Sequence, residues 1–245
     1  MERQLLTLPA VARALYKRNF LRQAVCELRF PTLYALEAPR PPAQLALALR
    51  HDYPMQAPVH SVEIGPAGTQ RLTAHSFKSR QQDWAVTLRA NAVSLETSRY
   101  TTFEELRRRL AALLPQVASV IDSDFFTRVG LRYINVVPFP SQQPVPWINL
   151  DLCKPVLSGM FGDIAEFNGR VAGPTNVGSY LLQHGVLLDI TAGRALPEYS
   201  IDIDTAAENV EQVNVLEVVD KLHDHEFSLF SWAIGPAALA HLKSE

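Results

Sequence analysis

Along residues 126–135, Phe-Thr-Arg-Val-Gly-Leu-Arg-Tyr-Ile-Asn, charged and apolar side chains alternate. Successive side chains of an extended strand point to opposite faces. Arg128, Gly130 and Arg132 therefore share one face, and Val129, Leu131, Tyr133 and Asn135 the other. Two guanidiniums about 6.6–7 Å apart on one face make an anion clamp, because each forks onto a phosphate or carboxylate. Gly130 between them leaves room for a ligand or another backbone. Asp202 and Asp204 alternate in the same way within Ile-Asp-Ile-Asp at 201–204. They have two readings: they orient the arginines for an anionic ligand, or the four charges form a structural ion-pair network. Half-buried charges persist only when paired.

Other constellations carry weaker chemistry. Asp202, Asp204 and Glu208, joined by Asp189, are oxygen donors of the kind Mg²⁺ takes. Asp202 and Asp204 with His223 outline a metal-dependent hydrolase acting on nucleotides or nucleic acid, the alternative function. The pattern is short and common, and the expected metal and cofactor content is none. His223-Asp224-His225-Glu226 lacks the i, i+4 histidine spacing of a helical zinc site. Histidines two apart lie on different helix faces, so His223 is expected beside an apolar stripe as a satisfied core residue. Nucleophile elbows, phosphate loops, dinucleotide glycine patterns and Cys-x-x-Cys pairs are absent, so no catalytic residue is assigned. Trp147 follows Pro144 and Pro146, where it is expected either to anchor a partner protein or to lie buried under the loop. A nucleic-acid-binding module is the third function, carried by Arg71, Lys78, Arg80, Arg89 and Arg107–Arg109. The sequence pI of 6.4 sits far from the basic values, above about 9, of nucleic-acid-binding domains.

The elements that must position these residues follow from periodicity. With 245 residues, 47% hydrophobic, 20% charged and a net charge of -2, the composition is that of a globular protein and excludes a disordered or low-complexity chain. No run is apolar enough to span a bilayer, and the first residues lack the pattern of a secretory signal. Cys26 and Cys153 are too few for a disulfide framework, and a cytoplasmic location is expected. Helices are expected over Leu5–Phe20, from Pro41-Pro42 to Arg50, from Thr102 with its capping-box Glu105, over Leu150–Phe161, and from Asn209 to Trp232. In the last, Leu216, Val219, Leu222, Phe227, Phe230 and Ile234 form the stripe. Strands are expected at 24–30, 61–64, 71–78, 84–90, 93–97, 127–137, 180–184, 186–191 and 199–204, with a glycine-rich loop at Gly169–Gly178. On the strand from Trp84, Thr87 and Arg89 face outward.

Both halves then read strand, helix, antiparallel strands, long helix. The expected fold is α+β: a duplicated unit forming a curved antiparallel sheet with two long helices packed on one face. The first repeat, 1–125, is basic, with sixteen Lys/Arg against eleven Asp/Glu; the second, 126–245, is acidic, with seven against fourteen. The two are expected to fuse into one compact body.

Residues 126–135 resemble the signature of a sporadically distributed, functionally uncharacterised bacterial family of about 250 residues. Ala24–Phe30, Tyr53-Pro54, Tyr100–Leu110, Ile201–Asp204 and Leu222–Ile234 resemble further family segments in the same order. Asn19-Phe20-Leu21 stand where the family carries prolines. The resemblance implies no chemistry, and the family's patchy distribution points toward toxin–antitoxin or phage-defence loci. The expected function is a non-enzymatic binding protein, a partner or regulatory component of such a system. It would capture a partner protein or an anionic ligand through Arg128, Arg132, Asp202 and Asp204.

Overall fold

The structure is a computed structural model that describes residues 4–9, 11–65, 68–140, 143–162, 164, 166–187 and 197–244. The chain is α+β. Among the described residues its strands are β1 (Leu21–Arg29), β2 (Met55–Gly65), β3 (Gly68–Lys78), β4 (Trp84–Arg89), β5 (Ala92–Thr97), β6 (Phe125–Pro138), β7 (Phe167–Pro174), β8 (Ser179–Leu187) and β9 (Glu198–Glu211). Its helices are α1 (Ala43–Leu49), α2 (Phe103–Ile121), α3 (Leu150–Leu157), α4 (Val215–Ala233) and α5 (Pro236–Lys243). Among the described residues no helix is long and apolar enough to cross a membrane.

The chain forms two compact units, neither a single stretch. The N-proximal unit holds Gln23–Leu131 and Ala207–Asp220; the C-proximal unit holds Met1–Arg22, Arg132–Ala206 and Lys221–Glu245. In the N-proximal unit the strand order is β2-β3-β4-β5-β1, with β6 beside β1. The pairs β2·β3, β3·β4, β4·β5 and β1·β5 are antiparallel. Ala24, Cys26 and Leu28 on β1 are buried while Arg29 is exposed, as alternation requires. β4 and β5 pair from Trp84↔Thr97 to Arg89↔Ala92, so the tight turn is Ala90-Asn91. Thr102 caps α2, accepting from the Glu105 backbone N–H at 3.2 Å. Phe103, Leu106, Leu110, Leu113, Leu114, Val117 and Ile121 form its buried stripe. Asp122 ends it in the left-handed region at φ 47°.

In the C-proximal unit the order is β6-β9-β8-β7, with β7·β8 and β8·β9 antiparallel. Its core is Phe20, Val137, Phe139, Ile148, Leu152, Tyr199, Ile201, Ile203, Leu229, Ala233 and Leu242 among others.

Several sequence expectations are corrected. The described residues of Leu5–Phe20 form no helix. Leu6 donates instead to the Pro174 carbonyl at 3.0 Å, and Leu6, Leu8 and Tyr16 pack on the core; tertiary contact overrides a weak local propensity. Of the loop expected at Gly169–Gly178 only residues 175–178 form the turn: β7 runs through Gly169 and Gly173, where the His184 ring of β8 fills the Cβ position of the first and the Tyr180 ring crowds that of the second. β9 continues through Asn209 to Glu211, so the last long helix starts at Val215. The helical piece after Asn149 stops at Leu157. Residues 188–191 of the strand expected at 186–191 lie outside the described residues, as does Asp189. Thr87 keeps the outward face it shares with Arg89, but it is buried there. It lies in register with Ser76 and Ser94, short side chains overreached by longer neighbours such as Arg89 and Glu27.

Candidate functional site

Each unit carries a cluster of arginines and carboxylates on a strand face. In the N-proximal unit the cluster centres on Glu27 of β1. Arg29 Nε donates to its Oε1 at 2.6 Å, and Arg89 Nη1 of β4 to its Oε2 at 3.3 Å. Arg128 Nη1 of β6 lies 3.7 Å from Oε1. The register explains the convergence: Arg29 and Arg89 both pair with Ala92 of β5, so the three form one row across adjacent strands. Two strand spacings of about 4.8 Å separate the arginine backbones, and the short Ala92 leaves a saddle between them. Arg29 and Arg89 side chains are 52% and 49% exposed, whereas Glu27 is 20% exposed. Gly130 serves this cluster differently from expectation. The space above it is filled by the Arg128 guanidinium, which a Cβ would displace.

The second cluster lies in the C-proximal unit. Arg132 forks onto Asp202, Nε to Oδ1 at 2.8 Å and Nη2 to Oδ2 at 2.6 Å, a bidentate arrangement that fixes the guanidinium plane. These hydrogen bonds hold the Arg132 pKa above its ordinary value. Gln183, in register with Asp202 across β8·β9, donates to the same Oδ2 at 3.4 Å. Arg132 is 44% exposed and Asp202 13%. Arg132 and Asp202 are thus brought together, and Asp204 stands two residues on, on the same face of β9.

The interior holds polar groups that are already engaged. His223 Nδ1 bonds the Tyr133 hydroxyl at 3.1 Å with their rings edge-on, so the histidine is a satisfied core residue. Tyr199 donates to the Leu152 carbonyl at 3.1 Å, so the 2.7 Å bond from His184 Nδ1 carries the histidine's proton to the tyrosine oxygen. Burial lowers the His184 pKa and raises that of Tyr199. Burial also pushes the Cys26 thiol up to about 12 and Cys153 to about 11, so neither is a thiolate nucleophile near neutrality. Sequence reasoning missed Glu226. It is fully buried on α4, and its Oε1 accepts from the Thr205 hydroxyl at 3.3 Å.

The remaining candidates are placed as follows. Among the described residues no group of three or more His, Cys, Asp and Glu side chains is arranged to hold a metal ion. Trp147 is partly buried against the C-proximal core, its ring 5.8 Å from that of His241. Arg107 forks onto Asp220 at 2.7 and 3.1 Å, while Arg108 and Arg109 both hold Glu105. Arg109 also lies 4.5 Å over the Trp84 ring. Lys78 and Arg80 are exposed. An open cavity of about 710 Å³ at the end of α2 is lined by Leu33, Ile121, Asp122, Asp124, Phe125 and Gln212 among others, and by no arginine.

No protein family matches this chain, and no curated protein matches it.

Proposed function

We propose that the chain is a non-enzymatic binding protein that captures carboxylate or phosphate groups of a partner protein or ligand on its arginine-bearing strand faces. The observation that carries this reading is the arrangement around Glu27, where three guanidiniums meet one carboxylate. Glu27 is half-buried and needs one partner, but ion pairs made by side chains as exposed as Arg29 and Arg89 contribute only about 0–1 kcal/mol each, so fold stability gives little reason to gather all three. Arg29 and Arg89, half exposed and in register, present further N–H donors at a spacing that suits a di- or polyanion. Arg132, oriented by Asp202, is the second capture point, with Asp204 shaping its surroundings. The engaged histidines and protonated thiols favour binding over covalent chemistry.

The order strand, helix, strands, 19-residue helix occurs twice along the chain, which supports a duplicated α+β unit. The resemblance of residues 126–135 supports a place in the sporadically distributed bacterial family. With it comes the role of partner or regulator in a toxin–antitoxin or phage-defence system, acting in the cytoplasm.

Calorimetric titration with pyrophosphate and with a poly-glutamate peptide tests the capture reading. Wild type is expected to bind at least one probe, more weakly as salt rises. Each lost charge-assisted bond costs about 1.5–3 kcal/mol, so Arg89→Ala and Arg132→Ala should each weaken binding by about 10–100-fold if its cluster is used. Unfolding midpoints should stay near wild type. A wild type that binds neither probe, or variants that lose stability without losing affinity, would end the proposal.

A further inference from the structure

The inner stripe of α4 reads Val215, Val219, Leu222, Leu229 and Ala233, each no more than 2% exposed. Between Leu222 and Leu229 the helical repeat needs one more apolar residue. Glu226 stands there, with no exposed surface. The donors around it come from Thr205, whose backbone and side chain both favour the charged form but are outweighed by burial. The Thr205 hydroxyl of β9 reaches Oε1 but also lies 3.4 Å from the Leu222 carbonyl, and one hydroxyl has one proton. Oε2 has no hydrogen-bond partner among the described residues. The charged groups nearby offer little relief. Asp202 and Asp204 of β9 repel an anion here, and Arg132 of β6, the cation that Glu226 feels, is forked onto Asp202. The Tyr133 hydroxyl of β6 shares a hydrogen bond with Nδ1 of His223 on α4.

An ionised carboxylate buried without a charged partner costs far more than a neutral acid, and such a group neutralises instead. Burial first, then repulsion from Asp204, places the Glu226 carboxyl well above the usual carboxylate range.

We propose that Glu226 is a proton-held latch: α4 seats on β6 and β9 while this carboxyl carries its proton, and the seat loosens as the proton leaves. The folded state then binds one proton more than the unfolded state. The stabilising contribution is complete below the unfolded glutamate value of about 4.3 and declines as pH rises toward the higher folded value. One proton's difference changes the folding equilibrium about tenfold per pH unit over that window.

The test compares wild type with Glu226→Gln, which keeps the shape and cannot ionise. Between about pH 5 and about pH 7, chemical denaturation should show the folding equilibrium of the variant gaining on wild type by more than about twofold, and by about hundredfold at most. A ratio constant within about twofold would overturn the latch. Infrared spectroscopy of wild type alone guards against a variant that fails to fold. A protonated-carboxyl band should persist at pH values where the surface carboxylates have lost theirs. Its absence would equally overturn the proposal. Hydrogen exchange should locate the loosening, with amides of residues 222–230 opening faster at higher pH in wild type than in the glutamine variant.

Discussion

α2 and α4 each run 19 residues and each carries a buried stripe, but the stripes differ in kind. The α2 stripe is apolar from Phe103 to Ile121, and its charges lie on other faces, where Glu105 is held by Arg108 and Arg109. The α4 stripe contains His223 and Glu226 among its leucines and valines. α2 is therefore held by packing, which is indifferent to pH near neutrality. α4 depends also on a hydrogen bond and a proton, which are not. The lesson is that equal length and similar apolar content leave open whether a helix is a fixed element or a conditional one.

Three substitutions sharpen or break that contrast. The largest effect belongs to α2. Leu110 is fully buried, and Leu110→Ala should cost about 2–5 kcal/mol through lost burial and a cavity. Urea unfolding checks it, and a loss much below this range would mean that α2 is less tightly packed than its burial indicates. Next comes the α4 seat. Tyr133→Phe removes the hydroxyl from His223 Nδ1 and should cost about 1–3 kcal/mol, because a buried polar group loses a partner. Thermal unfolding measures it, and a neutral result would make the α4 polar contacts dispensable. The smallest effect is at the start of α2, where Thr102→Ala deletes the cap on the Glu105 N–H for about 1 kcal/mol. Unlike Glu226→Gln, neither α2 variant should change the slope of stability against pH between about 5 and 7, since neither removes a titrating group.

Local pattern foresaw much of this. The β1, β4, β5 and β6 faces, the Thr102 cap and the α2 stripe follow from periods of two and 3.6, and those periods are written in neighbouring residues. The α4 stripe is one position off at both ends, with Val215 innermost instead of Leu216, and Glu226 and Leu229 instead of Phe227 and Phe230. Apolar residues there surround the helix, so Phe227 and Phe230 look as core-like as Leu229. Phe227 is partly buried and stacks on Tyr16, with ring centres 6.1 Å apart, while Glu226 takes the innermost place. Nothing local distinguishes that glutamate from a surface residue. The pairing of Arg132 with Asp202 was visible as an option, because both residues alternate outward on their strands. The gathering of Arg29, Arg89 and Arg128 around Glu27 was not, since Arg29 and Arg89 meet only through the register of β4 and β1 on β5.

By itself, then, the order of residues determined which segments extend, where α2 begins, and which side of each early strand faces water. These properties depend on near neighbours and on the pitch of the backbone. Tertiary structure alone decided that the first twenty residues lie along a core instead of coiling, that glycines 169 and 173 sit in a strand beneath aromatic rings, and which charges share a carboxylate. It alone placed a glutamate where water does not reach. Register and burial join residues far apart in the chain, and no local period records them.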